Sequence, residues 1–204
     1  VALAAVLAAL LVGVVLGRAL DRRGDDAPGE DSVDVGFARD MGAHHAQAVE
    51  IAELLRDRSD DEDLRRIAAD IALTQQAQIG QMRGWLDIWG RPPTSVAPPM
   101  AWMGHEHPAG AGAGAGAPVM PGMASDDDIA ALTAARGADA ERLFLELTIR
   151  HHRGGVEMAS YAADNADERV VRQLAGGMVE AQTAEIAQLE QILADRFGEP
   201  PPAG

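Results

Sequence analysis

The chain contains one helical pattern twice. FARDMGAHHAQAVEIA at 37–52 and FLELTIRHHRGGVEMA at 144–159 align without a gap at an offset of 107 residues. The offset holds well beyond the motif, through His44/His151, His45/His152, Glu50/Glu157, Arg65/Arg172, Gln75/Gln182, Ile79/Ile186 and Leu86/Leu193. The repeated unit reads as a pair of amphipathic helices with apolar residues every three or four positions. One such hairpin cannot bury its apolar seam alone, so two must pack together. The fold class that follows is all-α: one duplicated four-helix bundle at 34–197, with hairpins at 34–90 and 126–197 and a long crossover linker at 91–125. No stretch alternates with period two, so strands are not expected.

Composition agrees. Hydrophobic residues are 47% of the 204 but aromatics only 3%, so Ala, Leu and Ile must supply the core, which suits helices. Lys+Arg 17 against Asp+Glu 32 gives a net charge of -15, a field that repels nucleic acid and anionic lipid and attracts cations. There is no cysteine, which excludes disulfides, thiolate metal sites, iron–sulfur clusters and a Cys nucleophile.

Residues 1–20 open with the apolar run VALAAVLAALLVGVVLG. As a helix that run spans about 25 Å, and it reads as an uncleaved signal-anchor or transmembrane helix tying an extracytoplasmic domain to the membrane. A cleaved signal peptide, leaving a secreted protein, is the alternative. Residues 21–33 form an acidic tether, and the Pro-rich 198–204 a disordered tail.

Polar residues stand on all four core-facing seams. The first helix runs Phe37, Met41, His44, Ala48, Ile51, Leu55, and the third Phe144, Thr148, His151, Gly155, Met158. His45 and His152 lie on the shoulders of those seams. The second and fourth helices carry Gln75, Gln78, Met82 and Gln182, Glu185, Leu189. Antiparallel pairing levels His44 with Gln75 and Met41 with Gln78, and likewise His151 with Gln182 and Thr148 with Glu185. Buried polar groups need partners, which leaves two possibilities. One is a metal held by His44, His45, His151 and His152 with help from Met41, Met82, Met158 or Glu185. The other is a His–Gln–Glu hydrogen-bond network that fixes helix register in a structural or interaction bundle. A di-iron carboxylate centre fits poorly because no Glu-x-x-His occurs, and zinc hydrolysis fits poorly because His-Glu-x-x-His is absent.

The linker carries similar chemistry. Met100, Met103, His105 and His107 precede a Gly/Ala run, and Met120 with Met123 follow it, so half of the eight methionines lie in this stretch. Thioethers beside imidazoles suit Cu(I) or Cu(II) and not Mg²⁺ or Ca²⁺.

The paired motif resembles the domain-of-unknown-function 305 family, the CopM-like ferritin-fold proteins. Phe37, Met41, His44, His45, Ala48 and Ala52 match its first element, and Gln75, Ile79 and Met82 the second. In the other copy Phe144, His151, His152, Met158, Ala159, Gln182, Glu185 and Ile186 match, with departures at Thr148, Gly155 and Leu189. The resemblance implies a ferritin-like bundle, an extracytoplasmic location and copper binding for buffering, tolerance or transfer, without enzymatic activity. The partners expected for such a chain are the metal ion, the membrane through the N-terminal helix, and a metal-transfer protein or a second copy of the chain.

Overall fold

The structure, a computed structural model, describes residues 27–104 and 120–198. The described residues are all-helical, with five α-helices and no strand. They are α1 Val33–Arg56, α2 Glu62–Ile88, α3 Asp126–Ala134, α4 Ala138–Asn165 and α5 Arg169–Phe197, with a 3₁₀ turn at Ala101–Met103 between α2 and α3. The segments read as anchor (1–20) and tail (198–204, apart from Gly198) lie outside the described residues, as do residues 21–26 of the tether. No described helix is long and apolar enough to cross a membrane.

Helix ends follow local chemistry. Ser32 caps α1 by accepting from the Val35 N–H, and Asp61 caps α2 by accepting from Leu64 at 2.8 Å. Gly90, at φ 65°, ends α2, and the Arg91 N–H reaches back to Leu86 O at 2.8 Å in a Schellman closure. A capping box between Ser125 and Asp128 starts α3. The first arm of the second hairpin, which begins at Asp126, is two helices and not one. The chain breaks at 135–137, where the Gly137 N–H donates to Arg58 O at 2.8 Å and docks the break on the first hairpin's turn.

Each hairpin packs on itself (α1 with α2, α4 with α5), and the two join through α1 against α4. These inner helices run antiparallel, since residues near the start of α1 meet the end of α4. The Asp34 carboxylate accepts from the N–H groups of Asp167 and Glu168, at 3.2 and 2.9 Å, in the second hairpin's turn. Its repeat counterpart Glu141 accepts from Ser59 Oγ at 2.6 Å in the first hairpin's turn. The duplication thus acts as a reciprocal lock.

The core has two apolar clusters. One joins the start of α1, the end of α2, the end of α4 and the start of α5 around Phe37, Met41, Met82, Met158 and Met178. The other joins the opposite ends around Ile51, Leu64, Phe144 and Leu189. Phe37 and Phe144, repeat equivalents, are each fully buried at the centre of one cluster, worth about 1.5–3 kcal/mol apiece.

The described ends of the linker pack onto the bundle. Trp102 packs edge-on against Phe37 with ring centroids 6.0 Å apart, and its Nε1–H donates to Asp40 at 2.8 Å. Met103 and Met120 are buried in the first cluster, and Met100 and Met123 pack against it. Aromatic and thioether side chains at the linker's two ends found apolar surface that its Gly/Ala middle cannot offer.

Candidate metal centre

Between the two clusters lies a layer of buried polar side chains: His44, His45, His151, His152, Gln75, Gln182 and Thr148, none more than 4% exposed. The α1–α4 packing brings the two seam histidines face to face, with ring centroids 3.8 Å apart and planes tilted by 34°. His151 Nε2–H donates to the His44 carbonyl at 3.0 Å. His44 Nε2–H donates to the carbonyl of Pro121 at 2.9 Å. A carbonyl can only accept, so both rings carry their proton on Nε2.

The shoulder histidines are as buried as the seam pair. His45 Nε2–H donates to Gln78 Oε1 at 2.7 Å and His152 Nε2–H to Glu185 Oε2 at 2.8 Å, both across 33 residues of sequence. Depth levelling placed Gln78 beside Met41 and Glu185 beside Thr148. The longer His side chains instead reach back along the helix to these partners. Gln75 and Gln182 are buried in the layer, but their Oε1 atoms have no partner.

The result is one pattern four times over: an engaged Nε2–H and a buried Nδ1 without a partner on His44, His45, His151 and His152. A ligating imidazole takes this form, because the hydrogen bond on one nitrogen leaves the other's lone pair free. Burial holds His44, His45 and His151 neutral. Desolvation, against the Pro121 hydrogen bond, lowers the His44 pKa to about 4. Desolvation also takes His45 to about 3 despite its bond to Gln78, and it holds His151 well below its ordinary value.

Met41, Met82 and Met158 are fully buried beside this layer in the first cluster. All eight methionines belong to that cluster or pack against it, and none belongs to the other. The repeat counterparts of Met41, Met82, Met158 and Met178 are Thr148, Leu189, Ile51 and Ile71. The scaffold is symmetric, and its sulfur is all on one side. His105 and His107 lie outside the described residues. Among the described residues no three His, Asp or Glu side chains converge as a ready ligand set.

Sequence reasoning missed Gln78 as a histidine partner, and it missed Pro121 and Gln47. The first had a signal: Gln78 and Glu185 stand in the same repeat position, each 33 residues after its histidine. The other two act through the backbone of residues 120–124, which carries no periodicity to read.

The sequence profile of DUF305, a domain of unknown function, matches residues 34–193. This chain belongs to the DUF305 family. Among solved structures, a DUF305 protein of Streptomyces coelicolor is 44% identical, with 86% of this chain and 100% of that one covered and a TM-score of 0.77. A DUF305 fragment from Deinococcus radiodurans is 34% identical, covering 83% and 98%, at a TM-score of 0.66. CopM in its Cu(I)-bound form is 25% identical, covering 81% and 98%, at 0.62. CopM is also known in Cu(II)-bound, Ag-bound and apo forms, which share this DUF305 fold at 23% identity. No curated protein matches the chain. The matched relatives are DUF305 proteins and CopM.

Proposed function

We propose that this DUF305 protein binds copper outside the cytoplasm, preferentially as Cu(I), for buffering, tolerance or transfer. The observation that carries the proposal is the set of four buried histidines with bare Nδ1 atoms beside a core that gathers every methionine. Soft thioether and neutral imidazole donors suit Cu(I), and among the described residues no carboxylate-rich shell surrounds the layer to favour a hard cation. The ion would be held by donors drawn from the Nδ1 atoms of His44, His45, His151 and His152 and the sulfurs of Met41, Met82 and Met158. Met103 and Met120 are further sulfur donors in the same cluster, with Met100 and Met123 at its edge. Glu185, the remaining candidate in the bundle, accepts from His152 through Oε2 and so orients that ring. When bound, copper would supply a soft, redox-active cation; the protein's part is to present imidazole and thioether lone pairs in a buried layer.

Two relatives support this reading: CopM is known with Cu(I) bound, and the Streptomyces coelicolor protein is described as a candidate secreted protein. The ferritin-like bundle and the tethering of the domain by residues 1–20 belong to the same proposal. The second reading, a structural bundle whose His–Gln–Glu bonds set register, is favoured by the lack of three converging His, Asp or Glu among the described residues.

Anaerobic competition of tag-free protein with a chromophoric Cu(I) chelator separates the two. Stoichiometric Cu(I) uptake, abolished by His44→Ala with His151→Ala and kept when 105–119 becomes a Gly/Ser segment, supports the bundle site. Uptake that follows 105–119 instead, or no uptake at all, overturns it.

A further inference from the structure

Resting on the copper reading, we infer that Gln47 is a positioning residue: it latches the segment 120–124 over the histidine layer and so fixes which nitrogen of His44 is free. The segment crosses the α1–α4 seam at the level of the stacked pair. Its Pro121 carbonyl is the acceptor that holds the proton of His44 on Nε2. That carbonyl belongs to a segment distant in sequence, so its position depends on how the segment is anchored to the bundle. Gln47 lies one turn from His44 and grips Ala124 from both sides, its Nε2 donating to Ala124 O at 2.9 Å and its Oε1 accepting from Ala124 N at 2.7 Å.

The rest of the segment is fitted to that grip. At Gly154, the repeat counterpart of Gln47, a Cβ would run into the Pro121 carbonyl. Gly122, at φ 73°, lies on the Arg150 carbonyl with no space for a side chain. The repeat has therefore diverged at one position into two complementary parts. Gln47 on α1 holds the segment, and Gly154 on α4 makes room for it. Met120 on the same segment is buried in the methionine cluster, so the latch also places a sulfur beside the layer.

Without the latch the Pro121 carbonyl drifts, and His44 exchanges between tautomers, one of which puts a proton where copper must bind. The bound ion is also released faster, because the segment covers His44.

The test uses the full chain, metal-free, with ¹⁵N-labelled histidine. The wild type shows His44 as the Nε2–H tautomer with an imine-type Nδ1, and an Ala124 amide protected from exchange. Gln47→Ala deprotects Ala124 and moves both His44 nitrogens towards the average of the two tautomers. His152, whose partner is Glu185 on α5, stays unchanged. Gln47→Glu keeps the acceptor for Ala124 N–H but loses the donor, and gives an intermediate pattern that guards against a variant that fails to fold. Copper(I) release, followed by transfer to a chelator, becomes about tenfold faster in Gln47→Ala, the size of one net hydrogen bond. An unchanged His44 pattern with Ala124 deprotected overturns the inference, and so does a His152 shift as large as that of His44. The nitrogen shifts are read without metal. A protein that passes them but takes up no copper contradicts the copper reading and leaves the latch standing.

Discussion

At the scale of single residues, the account rests on neutral, buried imidazole. His44, His45 and His151 all have folded-state pKa values lowered by desolvation, His44 to about 4 and His45 to about 3 from an ordinary 6.5. The unfolded chain therefore binds more protons than the folded one below that ordinary value. Stability is fully present above pH 6.5 and is lost as pH falls towards 4, at about 1.4 kcal/mol per pH unit for each such histidine. Urea melts of the metal-free protein between pH 7 and 4.5 are expected to show this decline, and it flattens when His44 and His151 are both replaced by Gln. A second expectation concerns sulfur. Met158→Leu preserves volume and costs under about 1.5 kcal/mol of stability while weakening Cu(I) binding in a chelator competition. Ile51→Met, its repeat counterpart in the sulfur-free cluster, leaves binding at the wild-type value. That residue-level asymmetry was legible only in part. Thr148 and Leu189 could be seen to lack sulfur where their counterparts have it. The grouping of Met41 and Met82 with Met158 and Met178 on one side follows from antiparallel α1–α4 packing, which no local pattern encodes.

Among elements, the least legible was the linker. The helices announced themselves through apolar periodicity, and in the structure side-chain caps such as Ser32 and Asp61 fix where they start. The packing of 98–103 and 120–124 rests on single long-range contacts, such as Trp102 on Phe37 and Pro121 against Gly154, which leave no repeating trace in sequence. Substitution at Gly154 reads this packing directly. Gly154→Ala forces its Cβ into the Pro121 carbonyl and is expected to destabilise by about 1–3 kcal/mol despite the better helix propensity of Ala. Gly177→Ala, in α5 with open space around it, is expected to stabilise by about 0.5–1 kcal/mol. Thermal melts of the two variants should therefore shift in opposite directions.

For the whole molecule, the 107-residue repeat dictated most of the architecture, because a hairpin with an apolar seam demands a partner. The reciprocal lock of Asp34 on the 167–168 turn and Glu141 on Ser59 ties the hairpins at both ends. Residues 27–104 expressed alone are thus expected to lack a cooperative melt by circular dichroism, since the face of α1 that packs on α4 would be bare. The histidine layer was visible as two HH pairs, but its free nitrogens depend on side-chain reach and on a backbone carbonyl from a distant segment. What that layer does as a unit is best read from the metal itself. X-ray absorption at the copper K-edge on the anaerobically loaded protein is predicted to show Cu(I) with both nitrogen and sulfur in its first shell, the nitrogen reduced in His44→Ala with His151→Ala and the sulfur in Met158→Leu. A shell of oxygen and nitrogen alone, or one that neither substitution alters, would contradict the account.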